Sequence, residues 1–219
     1  MTSEARKAWE RQQRENRIID MAEPVFFKKG YDATTIIEIA DASGYNKRSI
    51  YLYFRDKEDI FLAVVLRGLK LLYTEIETAS GISDGAPLDL KKLGRAFYDF
   101  SLAHPDYLKL IMVYEASTCV YRQDSPDGNG PEADTYKRRC QEKTDALADL
   151  MTRCLAKAIQ DGQIRTDLTP EQLMLILWGQ VFGVIQIILM RREGFSDTYG
   201  TSYESLFNTF LDMTAKSLS

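Results

Sequence analysis

The sequence predicts an all-α chain of about nine helices, with a three-helix N-terminal head and a larger helical body behind it. Three observations carry that expectation. Apolar residues recur at helical spacing almost throughout, and no segment alternates convincingly as a strand. Helix starts are marked by Thr35-Ile36-Ile37-Glu38 and Thr169-Pro170-Glu171-Gln172, in which a threonine caps and a carboxylate or amide three residues on reaches back. Helix stops are marked by Lys29-Gly30-Tyr31 and Ser43-Gly44.

Taken in order, a first helix ends at Gly30, and the tail before Arg17 (Arg6, Lys7, Arg11, Arg14) either extends it, reaches a DNA minor groove or is disordered. Pro24 lies inside this helix and removes one backbone hydrogen bond, so a kink is expected there unless Val25 and Phe26 reinforce it by packing. The second helix runs from Thr35 to about Ser43. Asn46 caps a third, from Lys47 to about Phe54, and Asp56 caps a fourth, from Lys57 to about Ala79. After a break over 81–87, helices are expected at about 88–103 and 106–119, divided by His104-Pro105. Asp124 to Pro131 has the composition of a mobile loop. A long amphipathic helix over about 132–161 follows, then an apolar helix from Pro170 to near Gly194 and a last one over about 203–218. The head is placed at 1–60 and the body at 61–219.

Composition fits an ordinary globular protein: 45% hydrophobic, 27% charged, net charge −4. Residues 1–67 carry 12 Lys and Arg against 11 Asp and Glu, a net of +1, so the remaining 16 against 21 give −5. That sign fits a head that faces an anionic partner. Cys119, Cys140 and Cys154 form no CxxC pair, and this sparse count suits buried thiols in a reducing cytoplasm. The N-terminus has no apolar run of the signal-peptide kind. Leu173 to Met190 is 18 residues without a charge, yet Gly179, Gln180, Gly183 and Gln186 interrupt it. A helix buried in a soluble body, with neighbours on all sides, is preferred to a membrane span.

In the head, the inner faces are expected to be Ile18, Ala22 and Phe26; Ile36, Ile39 and Ala40; and Ile50 and Phe54. The short third helix then presents Lys47, Arg48, Tyr51 and Leu52 together, because residues three and four apart share a face. A cationic, aromatic second helix after a Gly-containing turn is the arrangement of a helix-turn-helix that enters the DNA major groove. A helical core with a solvated charged face is the bland alternative, and the spacing, caps and turn together favour DNA.

These residues, with Lys28-Lys29-Gly30-Tyr31, Thr34-Thr35, Ile39-Ala40, Ser43-Gly44, Ile50-Tyr51-Leu52-Tyr53-Phe54 and Lys57-Glu58, strongly resemble the TetR family of bacterial transcriptional regulators. The motif covers about a fifth of the chain. The resemblance implies that Tyr51, Lys57 and Thr35 touch the DNA backbone. It also implies that Asn46, Lys47, Arg48, Ser49, Leu52 and Tyr53 lie at the groove. Arg48 departs from the family pattern, where a small residue is common; its guanidinium suits guanine, and a phosphate contact is the rival. Tyr45 also departs, standing in place of a small aliphatic residue in the turn.

The resemblance further implies a ligand-binding and dimerising body. Phe97, Phe100, Met112, Trp178 and Phe182 suggest an aromatic-lined cavity for an apolar or aromatic effector, with Glu115 and Gln180 to orient a polar group. Each aromatic alternatively fills a core. Tyr98 and Tyr136 are expected at the surface or rim, and His104 at a helix junction. Gly179 and Gly183 allow close helix approach, and Phe207, Phe210 and Leu211 give the last helix an apolar stripe, so these five are the expected dimer interface. No P-loop, dinucleotide fingerprint or metal-ligand cluster is present, so neither a cofactor, a metal nor catalysis is expected. The leading expectation is a dimeric, effector-released repressor in the cytoplasm on a pseudo-palindromic DNA operator. An activator, or an interaction protein that has lost DNA binding, is the alternative.

Overall fold

A computed structural model describes residues 2–82, 87–121 and 135–218, with side chains omitted for 118–121. The Asp124–Pro131 loop expected from sequence lies outside the described residues, as does the side chain of Cys119. Every regular element among the described residues longer than one turn is an α-helix. The order is α1 (Ser3–Ala33), α2 (Ile36–Ser43), α3 (Lys47–Ile50), α4 (Lys57–Ser80), α5 (Leu90–Ala103), α6 (Pro105–Tyr121), α7 (Tyr136–Gln160), α8 (Pro170–Met190), α9 (Phe195–Tyr199) and α10 (Tyr203–Ser217). Two compact units emerge, one from residues 1–70 and 104–143, the other from 71–103 and 144–219.

The first unit holds the head. The sequence before Arg17 is helical from Ser3 onward, so α1 is extended. Pro24 keeps helical geometry; the interruption falls instead at Gly30, whose φ of 75° and ψ of 177° end the regular run. Packing explains the straight passage through Pro24, since Ile18, Ala22 and Phe26 are all fully buried and Phe26 meets Phe61 edge-on at 5.6 Å. Thr35 and Glu38 form the expected capping box on α2. Gly44 closes α2 in the left-handed region (φ 74°), where a side chain would be strained, and returns its N–H to α2 carbonyls. Asn46 caps α3 by accepting from the Ser49 N–H at 2.8 Å. Regular α3 is shorter than expected, ending at Ile50, and Tyr51–Tyr53 continue as a turn. Cys140 is buried in this unit, and burial pushes its thiol up to about 12.

In the second unit α10 packs on α5 and α8. Tyr98, expected at the surface, is 1% exposed and stacks on Phe207 with ring centroids 4.2 Å apart. Its position inside the α5 apolar stripe, beside Phe97 and Ser101, accounts for the burial. A second cluster joins Leu155, Ala158 and Ile164 of the α7 end to Leu173 and Leu177 of α8.

Helix α8 opens as expected, with Thr169 and Gln172 forming a capping box around Pro170. It stops at Met190 rather than near Gly194, and the five-residue α9 between Gly194 and Gly200 is an element the sequence reading did not anticipate. The expectation that α8 has neighbours on all sides is not met among the described residues. This helix is long and apolar enough to cross a membrane, and only 22% of its most apolar stretch is buried. Leu175 (66%) and Met190 (73%) are open to solvent. Among the described residues, neighbours cover the Leu173, Leu177, Ile185 and Ile188 side of α8, and Leu175, Ile176, Ile187 and Met190 stay exposed.

Candidate nucleic-acid interface

The short α3 is held from beneath by apolar side chains. Ile50 and Phe54 are buried, and Phe54 stacks on Tyr136 at 5.9 Å, which leaves Tyr136 half-buried at the rim. With those two fixed, the residues between and before them must point outward. Lys47 and Arg48 are exposed, Tyr51 is 47% exposed and Leu52 64% exposed. Leu52 thus stands bare beside two cations and a phenol. The Lys47 ammonium lies 6.0 Å from the Tyr51 ring. Ser49 and Tyr53 are half-buried at the edge of this face.

The backbone-facing candidates have further partners. Thr35 is exposed at the start of α2, and its hydroxyl serves the capping box with Glu38. Lys29 pairs with the same Glu38, and this ammonium, followed by the Thr35 N–H and hydroxyl, holds the Glu38 carboxyl below the usual range. Asn46 uses its side-chain oxygen as the α3 cap and keeps its amide N–H groups. Lys57 was expected to point at a phosphate. Its ammonium donates to the carbonyls of Tyr31 (2.8 Å) and Asp32 (3.3 Å) and lies 4.3 Å from the Tyr31 ring, with its third N–H left over. It is half-buried between α4 and the connection that leads to α2. Tyr45, the unusual aromatic in the turn, lies 6.0 Å from the Arg17 guanidinium.

Arg11 and Arg14, which the sequence placed in the tail before Arg17, reach this face. Arg11 donates from Nη2 to the Leu52 carbonyl at 3.0 Å, and Arg14 donates from Nη1 to the Tyr53 hydroxyl at 3.2 Å. The signal for them was their three-residue spacing on the same helix as Ile18, but nothing local names their partners.

In the second unit, Phe97 and Trp178 meet at 4.8 Å and Trp178 stacks on Phe182 at 6.3 Å. Phe100, expected to line a cavity, is fully buried in the core. Met112 and Glu115 are half-buried on α6, in the first unit, and Gln180 is exposed on α8. Among the expected dimer residues, Gly179 and Gly183 open onto free space. Phe207 and Leu211, however, serve their own chain: Phe207 lies under Tyr98, and Leu211 sits directly over Gly94. The α10 stripe is wider than one partner needs, so its inner half fills the core. Phe210 is half-buried, and Leu206 and Met213 are the exposed apolar residues of α10.

Comparison with known proteins agrees with this geometry. Residues 18–64 match the model of the tetR family of bacterial regulatory proteins. The transcriptional regulator TtgR of Pseudomonas putida is 26% identical over 211 residues, 93% of this chain and 92% of that protein. The transcriptional repressor KstR2 of Rhodococcus jostii is 28% identical over 162 residues, 72% of this chain and 71% of that one. The match spans between 27% and 41% of the length of the first curated relatives, all helix-turn-helix regulators. The crystal structure of a tetR-family regulatory protein from Rhodococcus RHA1 superposes with a TM-score of 0.66 at 20% identity, covering 94% of this chain and 97% of that one. Residues 18–64 thus carry a head of the tetR family of bacterial regulatory proteins, and the helical order of the chain is the fold of the solved tetR-family structure.

Proposed function

We propose that the chain is a homodimeric repressor that binds a pseudo-palindromic DNA operator and is released from it by a small effector. The observation that carries this reading is the outward face of α3 and its following turn, where Lys47, Arg48, Tyr51 and Leu52 stand exposed over buried Ile50 and Phe54. Residues 1–60 are the DNA-binding part in this reading and 61–219 the sensing and dimerising part. Tyr51, Lys57 and Thr35 contact the DNA backbone, while Lys47, Arg48 and Leu52 meet base edges. Repression rather than activation is favoured by KstR2, a repressor matched over most of its length.

An apolar face of α8 as bare as this one requires cover. A second copy of the chain, related by two-fold symmetry, supplies the same face in return. Two copies also present two identical α3 elements, which is why the operator is expected to be pseudo-palindromic.

The effector is assigned to the aromatic trio of Phe97, Trp178 and Phe182, whose chemistry suits an apolar or aromatic molecule. Trp178 is 37% exposed and offers a direct reporter. With Trp9→Phe as background, an effector should shift Trp178 emission and, at the same concentration, weaken anisotropy-detected binding to an operator duplex. The two effects must coincide because a ligand acts only through its preference for one of two states. Operator binding unmoved by a broad set of apolar and aromatic compounds would overturn the sensing role.

A further inference from the structure

The buried core of the head begins at Ile18, yet α1 starts at Ser3, four turns earlier. An exposed helical extension of that length needs tertiary anchors, because propensity alone holds short helices weakly. Near its base Arg67 donates to the Asn16 carbonyl at 3.4 Å, and farther out two anchors, at Arg11 and Arg14, lead to the DNA-facing segment. Arg11 and Arg14 are three residues apart and so share a face of α1. Arg11 uses its fork in two directions: Nε donates to the largely buried Glu15 carboxylate at 3.0 Å, and Nη2 donates to the Leu52 carbonyl at 3.0 Å. Its guanidinium also lies 5.3 Å from the Tyr53 ring. Arg14 reaches the hydroxyl of the same tyrosine at 3.2 Å.

These bonds meet a need created by the local fold. Regular α3 is only four residues long, and a helix end leaves carbonyls without partners. Buried Ile50 and Phe54 fix the inner side of the turn that follows, but the outer side has no packing of its own. We propose that Arg11 and Arg14 are positioning residues for DNA reading. They clamp the Leu52 carbonyl and the Tyr53 side chain from outside, so that the first four turns of α1 are a working part of the head. The inference rests on the DNA-binding reading above. It differs from a phosphate-contact role in what the donors meet, namely Glu15, the Leu52 carbonyl and the Tyr53 hydroxyl; N–H groups remain on both guanidiniums, so affinity for random duplex and its salt slope distinguish the two roles. It also requires arginine: a lysine ammonium keeps the charge but lacks the planar fork that joins Glu15 to Leu52.

The charge-preserving double variant Arg11→Lys, Arg14→Lys in the full chain separates these roles. Without DNA, amide exchange is measured at Leu52, Tyr53 and Phe54, whose N–H groups donate to Ser49 and Ile50 carbonyls at 3.0–3.2 Å. The account expects about tenfold faster exchange there, as local opening becomes easier, and unchanged exchange around Ile18 and Ala22. With DNA, the ratio of affinity for a selected sequence to affinity for random duplex should fall about tenfold or more. Affinity for random duplex and its salt slope should stay at wild-type values, since no charge is lost. Tyr53→Phe, which removes only the Arg14 acceptor, should lower the ratio by a smaller factor. Unchanged exchange at 52–54, a wild-type affinity ratio in the double variant, or an equal loss on all duplexes would each overturn the proposal. A wild-type protein that prefers no sequence would instead overturn the DNA-binding reading itself.

Discussion

Replacing both Gly179 and Gly183 with leucine is expected to turn a particle of twice the 25.0 kDa chain mass into a monomer. The structure makes this a clean test. A Cβ added at either position meets nothing within 4 Å among the described residues. Leucine is also the better helix former, by up to about 1 kcal/mol per site, so helix content should not fall. Any effect on mass therefore comes from what lies across α8 in the assembly. Bulky residues there block the close approach that two glycines four apart allow. Operator affinity should fall sharply with the mass, since a monomer engages one half-site only. Light scattering at micromolar concentration reads the result, and a wild-type mass of about 25 kDa would contradict the dimer.

The second large effect separates reading from positioning in the head. Arg48 is exposed at the start of α3, and if its guanidinium takes guanine O6 and N7, Arg48→Ala should cost about 1–3 kcal/mol on the cognate site. Preference at one base pair of each half-site should relax with it. Lys57→Ala should act differently. The ammonium gives two hydrogen bonds to the Tyr31 and Asp32 carbonyls, and its third N–H and its charge remain for a phosphate. Its loss should weaken binding to every sequence alike and reduce the salt slope by about one unit per head. Competition at fixed salt, one operator base at a time, measures both. A uniform loss across all operator variants for Arg48→Ala would show that Arg48 holds the backbone.

Features written within a few residues were legible in the sequence. The Thr35–Glu38 and Thr169–Gln172 boxes and the Asn46 cap each depend on a three-residue spacing, and all three are formed. The α3 face was legible for the same reason, because helical period assigns Ile50 and Phe54 inward and Lys47, Arg48, Tyr51 and Leu52 outward. Features that depend on distant partners were not. Arg11 and Arg14 find theirs 41 and 39 residues away, and no local pattern encodes that. Lys57 turns toward carbonyls 25 and 26 residues earlier in the chain. Tyr98 and Phe207 bury each other although each, taken singly, suits a rim or an interface. Composition marked α8 as a core helix, but composition does not say whether its neighbours come from the same chain. Five residues between two glycines, as in α9, are too few for a periodicity to show.

The central claim is that two copies of α3 read a two-fold related DNA site. Selection of bound sequences from a random duplex library by the full wild-type chain tests it most directly. The account predicts enrichment of a pseudo-palindrome, two inverted half-sites set by the spacing of the two α3 elements, bound in preference to random duplex. A pool that remains random after repeated rounds, at salt low enough for electrostatic binding to hold, would contradict it.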